Sequence, residues 1–181
     1  DIIAGLGLDA APWNNAVETV SLTTEWTRYT LNLTTAGFGG ENNRLFFDMG
    51  AAAGQVQLDN VSLVTVSADD TGNDSSGSDN SGDMTGELLV NAGFDGVDSW
   101  GGTDGMADSI SDGVFSADVA QAGNAWDVSL KQNLTLLAET DYVLSFDARS
   151  DDGRDIIAGL GLDAAPWTNA VETVSLSNEW T

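Results

Sequence analysis

Hydrophobic and polar residues alternate with a period of two through several stretches of the chain. Tyr142, Leu144, Phe146 and Ala148 fall on one side of such a stretch, and Val143, Ser145, Asp147 and Arg149 on the other. Leu45, Phe47 and Met49 alternate with Arg44, Phe46 and Asp48 in the same way, and Tyr29, Leu31 and Leu33 share one side of the segment 26–33. The pattern predicts strands there and over 56–64 and 128–136, because successive strand side chains point to opposite faces. Gly- and Asn-rich breaks such as Ala36-Gly37-Phe38-Gly39-Gly40 and Ser150-Asp151-Asp152-Gly153 separate them. No long stretch repeats with a helical period. Many short strands divided by turns predict an all-β fold, an antiparallel β-sandwich of the jelly-roll kind.

A near-exact internal repeat changes the reading of the organisation. Residues 1–27 and 155–181 are the same sequence except at Asn14/Thr168, Thr23/Ser177 and Thr24/Asn178. A period this long exceeds that of a solenoid and indicates whole domains repeated with linkers between them. The stretch Ser67–Asp83 has almost no apolar side chain and is dense in Gly, Ser and Asp. It cannot bury enough surface to offset its ordering entropy, so it reads as a linker. The expected division is therefore 1–66 as the later part of one module, 67–84 as an acidic linker and 85–181 as the earlier part of the next. Those two parts would pair within one chain as a circular permutant or between neighbouring copies of the chain by strand exchange.

Charge and composition narrow the chemistry. Five Lys and Arg stand against 29 Asp and Glu, a formal net charge of −24. That charge repels phosphate backbones and anionic lipid, which argues against nucleic acid as a partner. There is no Cys and no His, which excludes disulfides, zinc sites built on those side chains and Ser-His or Cys-His nucleophile pairs. No apolar run has the length of a membrane span. Abundant Thr, Ser, Gly, Asn and Asp with scarce Lys suits a secreted, extracellular or cell-surface setting.

Five motifs carry a resemblance. Leu88-Leu89-Val90-Asn91-Ala92-Gly93-Phe94-Asp95, Gly123-Asn124-Ala125-Trp126-Asp127-Val128-Ser129-Leu130, Tyr142 to Arg149, Glu25-Trp26-Thr27-Arg28-Tyr29-Thr30 and Gln57-Leu58-Asp59-Asn60-Val61-Ser62-Leu63 together resemble carbohydrate-binding modules of families 4, 9 and 22. The order agrees once the repeat is unrolled, with Leu88–Asp95 as the opening strand. The resemblance implies a jelly roll stabilised by calcium that binds polysaccharide without cleaving it. A β-glucan is the ligand class it suggests. For the ion it implies the carbonyl of Gly93 and the carboxylates of Asp95 and Asp59, with Asp112 as a helper. Those Asp residues are also common turn formers.

Sugar rings present flat C–H faces fringed by hydroxyls, which suits an indole laid against them with polar groups around it. Trp126 and Trp167, with Trp13 as the other copy of Trp167, stand in polar loops and are the candidate platforms. A loop plug packed on the end of the sandwich is the alternative. Trp26 and Trp180, in the Glu-Trp-Thr motif, read as structural. Arg44, Asp48, Ser129, Lys131, Asp147 and Arg149 all fall opposite the core side of their strands, and three of the five cations are among them. If the strands are neighbours, these residues line one polar ligand face; otherwise they form cross-strand pairs such as Arg44–Asp48 or Lys131–Asp147. No carboxylate pair stands in a distinctive motif, so catalysis is not expected. The second reading of the repeats is a structural one, a filament, adhesin or surface fibre assembled by complementation between modules.

Overall fold

The computed structural model describes residues 2–8, 14–66, 84–103, 109–151, 154–161 and 168–173. They form two stacked sheets, as the period-two patterning predicts. The first sheet runs β13 (Thr168–Thr173), β2 (Asn14–Leu22), β1 (Ile2–Leu8), β12 (Arg154–Gly161), β4 (Gly40–Asp48), β10 (Ser129–Leu136) and β7 (Gly101–Gly102). The second runs β3 (Thr27–Thr34), β11 (Asp141–Ser150), β5 (Gly54–Val66), β9 (Val114–Val119) and β8 (Ile110–Ser111), with β6 (Met84–Thr85) added against β5. Neighbouring strands are antiparallel except where a strand of one repeat copy meets its own counterpart, β1 with β12 and β13 with β2.

The two halves of the chain close on each other. β4 pairs with β10, β3 with β11, and β5 with both β9 and β11. Residues 27–66, expected in a different module from 85–150, thus share one sandwich with them in the order of a circular permutant. The linker stretch 67–83 lies outside the described residues. Met84, placed at the end of that linker by composition, instead pairs with Val66.

Between the sheets lies the core that alternation predicts. Tyr142, Leu144, Phe146 and Ala148 of β11 are buried, as are Leu45, Phe47 and Met49 of the β4 run and Tyr29, Leu31 and Leu33 of β3. Phe146 bridges the layers: its ring stacks on Tyr29 at 5.5 Å and meets Phe47 edge-on at 5.2 Å across the sandwich. Burying such large aromatic area is the main favourable term in this fold. The hydroxyl of Tyr29 donates to the carbonyl of Ser21 at 2.8 Å, so the one polar atom of a buried ring is satisfied.

The segment 88–95 departs from expectation. It is not a ladder strand; it is an extended run followed by turns, closing through Phe94 N–H to the Asn91 carbonyl at 3.2 Å. It is held by two backbone hydrogen bonds to β5, Leu88 N–H to the Leu63 carbonyl at 3.0 Å and Val61 N–H to the Ala92 carbonyl at 3.1 Å, and by side chains. The buried amide of Gln132 accepts from Val90 N–H at 2.8 Å and donates to the Val90 carbonyl at 2.9 Å. Glu87 Oε1 accepts from the N–H groups of both Leu63 and Leu89 at 3.0 Å. Trp100 packs against Phe94 at 4.9 Å and donates its indole N–H to the Asn91 carbonyl at 2.9 Å, which assigns it to packing.

Candidate functional site

Trp126 is the most exposed large aromatic among the described residues, at 65%. It rides on a single 3-10 turn, Ala125–Asp127. The local sequence makes that turn: the Asp127 carboxylate accepts from Asn124 N–H at 2.8 Å, and Asp127 N–H donates to the Asn124 carbonyl at 3.0 Å. This reciprocal arrangement satisfies the free N–H groups at the turn's start. The turn is then bolted to the end of β4. Gly50 N–H donates to the Ala125 carbonyl at 2.7 Å, Gly123 N–H to the Gly50 carbonyl at 2.8 Å, and Met49 N–H to the Val128 carbonyl at 2.8 Å. Ala125 points inward and is buried, so Trp126 points out. The backbone that carries the indole is held from below, and the indole itself is exposed rather than plugging the sandwich.

Beside the turn, the outer face of the first sheet carries a polar patch. Ser129 lies opposite Asp48, Lys131 opposite Phe46 and Asn133 opposite Arg44 across the β10–β4 ladder. Directly opposed residues share a face, so these six stand together. Glycines flank the middle row on both sides: Gly101 opposes Lys131 from β7, and Gly5 opposes Phe46 from β1. The middle row across the strands thus runs Gly101, Lys131, Phe46 and Gly5, and the Trp126 turn leads into the start of β10 through Val128. Phe46 is covered, with the Arg44 guanidinium 4.8 Å from its ring centre.

Asp48 is buried as well, and that burial pushes its carboxyl up to about 6, against the opposing pull of the Ser129 hydrogen bond and the Arg44 charge. Arg44 is the smallest of these three effects on Asp48, and because both residues lie on β4 they form no cross-strand pair. At mildly acidic pH the patch holds a carboxyl that can both donate and accept hydrogen bonds.

The single ligand face inferred from alternation is corrected by the pairing. Asp147 and Arg149 lie on β11, in the second sheet, while Arg44, Asp48, Ser129 and Lys131 lie in the first. They point outward on opposite sides of the sandwich. The pairing of Lys131 with Asp147 is excluded on the same ground. Asp147 is instead 3.4 Å from Arg28, which also donates to the Asn60 carbonyl at 2.9 Å and to Ser145 Oγ at 2.8 Å. Arg149 donates to Gln57 Oε1 at 2.7 Å and sits 4.9 Å over the Trp26 ring. Trp26 is thus a surface residue, 40% exposed, whose structural role is to hold a guanidinium. Trp13, Trp167 and Trp180 lie outside the described residues.

The residues named for calcium meet in one neighbourhood by their backbones. Ala92 accepts from Val61 N–H at 3.1 Å, which brings the 91–95 turn beside Asp59 and Asn60. A side chain on Gly113 would come within 3.6 Å of the Gly93 carbonyl, so the Asp112–Gly113 turn is there too. The Asp59 carboxylate, however, accepts from its neighbour Asn60 N–H at 2.6 Å, and no group of three acidic side chains encloses a point among the described residues. Asn60, Asn91, Phe94 and Asp112 all have positive φ in this one region.

A family described as "Carbohydrate binding domain" matches residues 86–181. The chain belongs to the carbohydrate binding domain family. The matched span contains the 88–95 segment, the Trp126 turn, β10, β11 and the second repeat copy. No curated protein matches the chain. No solved structure matches it either.

Signals for some of this were present in the sequence. The Asn124/Asp127 spacing marks a turn that displays the residue between them. The role of Gln132 had no such signal, because a glutamine on the core side of a strand reads as an interruption until its partner, the Val90 backbone, is placed.

Proposed function

We propose that the outer face of β4 and β10, with Trp126 at its end, binds a polysaccharide chain without catalysis. The observation that carries this reading is the exposure of Trp126 on a turn whose backbone is fixed by five backbone and capping hydrogen bonds. A rigid indole loses little entropy on stacking against a sugar C–H face. Ser129, Lys131, Asn133 and Arg44 supply hydroxyl, ammonium, amide and guanidinium groups for the sugar hydroxyls, and the glycine-flanked row gives the chain room to lie across the strands. A β-glucan is the ligand to try first, and secretion to the cell exterior or surface is the setting. Calcium, held by Gly93, Asp95, Asp59 and Asp112, would brace the opposite corner of the fold rather than touch the sugar.

Affinity electrophoresis through gels containing laminarin, xylan or mannan tests the reading. At least one gel should retard the protein. The Trp126→Ala variant should lose tenfold or more in affinity, about 1.4 kcal/mol, while melting at the parent temperature. Equal retardation of parent and variant, or none in any gel, would overturn it.

A further inference from the structure

The outer faces of the two sheets are furnished alike. The chain has five Lys and Arg. Arg154 is buried and donates to the carbonyls of Ala52 and Ala53. The others divide evenly, Arg44 and Lys131 on the outer face of the first sheet and Arg28 and Arg149 on that of the second. Among the described residues the exposed aromatic side chains are Trp126 and Trp26. Trp126 adjoins the first face. Trp26 adjoins the second, where its ring centre lies 4.9 Å from the Arg149 guanidinium.

The second face carries an ordered row. Thr27 pairs with Ala148, which sets the preceding Trp26 beside Arg149. Arg149 opposes Gln57, and Gln57 opposes Ser116. Strands lie ~4.8 Å apart, so this row of indole, guanidinium, amide and hydroxyl runs ~14 Å across the sheet. Arg149 Nε donates to Gln57 Oε1 at 2.7 Å while its guanidinium covers one side of the indole. Side chains fixed in this way have little freedom left to lose on binding. The bond uses one of the five guanidinium donors and the acceptor end of Gln57, and the remaining donors are of the kind that sugar hydroxyls accept. Arg28 pairs with Asp147 on the same face at 3.4 Å, so this cation asks for no anionic ligand.

A protein partner fits this face poorly. Specific interfaces take about 800 Å² from each partner around an apolar centre, and among the described residues no large apolar side chain on the strands of this sheet is exposed. A lone indole beside a polar row suits a narrow ligand with a flat C–H face and a fringe of hydroxyls.

We propose that the outer face of the second sheet, with Trp26 at its edge, is a second site for a neutral polysaccharide. The ligand class rests on the reading of the first face; the site itself rests on Trp26, Arg149 and Gln57. The two faces point away from each other, so one molecule links two polysaccharide chains. Trp26 is less exposed than Trp126 and shares its ring with Arg149, so the second site is the weaker one.

Hydroxyl-radical footprinting of the full chain, read by mass spectrometry at Trp26, Trp126 and Trp100, examines both faces at once. Laminarihexaose, xylohexaose and mannohexaose at millimolar concentration are the probes. With at least one of them, oxidation of Trp26 and of Trp126 should each fall about threefold, because stacking covers the ring, while buried Trp100 keeps its low rate. Shielding of Trp126 alone overturns the second site and leaves the first. Shielding of Trp26 alone upholds the second site and overturns the first. Shielding of neither overturns both. In laminarin, xylan or mannan gels, Trp126→Ala should keep a residual retardation that a further Trp26→Ala change abolishes. A folded double variant retarded as much as Trp126→Ala would also overturn the second site, and if the double variant does not fold, the footprint of the unaltered chain decides.

Discussion

Ser129 stands directly opposite Asp48 on the outer face of the first sheet, and its side chain is the hydrogen-bond partner of a carboxylate that burial pushes up to about 6. The folded state therefore holds the Asp48 proton more tightly than the unfolded chain, where the ordinary value is 3.8. Stability from this group is fully present below the unfolded value and is lost as pH rises toward the folded one. Between about pH 4 and 6 the loss should reach roughly 2–3 kcal/mol, at 1.36 kcal/mol for each pH unit of difference. Urea denaturation of the parent and Asp48→Asn across pH 4–7 isolates it from the other carboxylates. The variant should gain relative to the parent as pH rises; a gap that does not change with pH would refute the assignment.

Gly50 controls the position of Trp126. A methyl group there would meet the Asn124 carbonyl oxygen at 2.4 Å and the Ala125 oxygen and Val128 nitrogen at 3.0 Å. All three are backbone atoms, so the whole turn must move. Gly50→Ala should cost about 1–3 kcal/mol, as overpacked sites do, and should weaken retardation in the polysaccharide gel. Thermal melting and gel mobility identical to the parent would show that the turn is not fixed from below.

Gln132 is the only side chain that clasps both polar groups of the Val90 backbone. Gln132→Leu keeps the volume and removes the clasp, leaving Val90 N–H and C=O to find other partners. Unmade hydrogen bonds of this kind cost about 1–3 kcal/mol. Amide hydrogen exchange at Val90 should accelerate together with the drop in stability. Unchanged protection at Val90 would mean that the segment is held by Glu87 alone.

Calcium supplies a prediction that is separate from sugar binding. Saturating calcium should raise the melting temperature and chelator should lower it, with about 2.7 kcal/mol of added stability at a hundredfold excess over Kd. Asp95→Asn or Asp59→Asn should remove that response, whereas Asp141→Asn, at the far end of β11 where the carboxylate accepts from Thr34, should keep it. A melting temperature indifferent to calcium and chelator in the parent would remove the ion from the account.

What the sequence determined by itself was local. The alternation of Tyr142, Leu144, Phe146 and Ala148, and of Leu45, Phe47 and Met49, assigns the inward side of each strand because a pleated backbone sends neighbours to opposite faces whatever it pairs with. The Asn124–Asp127 spacing likewise encodes the turn that displays Trp126. Sheet membership was not legible in this way. Asp147 and Lys131 both read as outward, yet β11 joins β3 and β5 while β10 joins β4, and the two side chains end on opposite surfaces. Outward burial was equally hidden: Asp48 lies opposite Ser129 of the distant β10, and Phe46 lies under the nearby Arg44 guanidinium and opposite Lys131. The same holds for the clasp of Gln132 on Val90. Each of these depends on pairings between segments far apart in sequence, and a period-two pattern carries no information about which segment lies across the ladder.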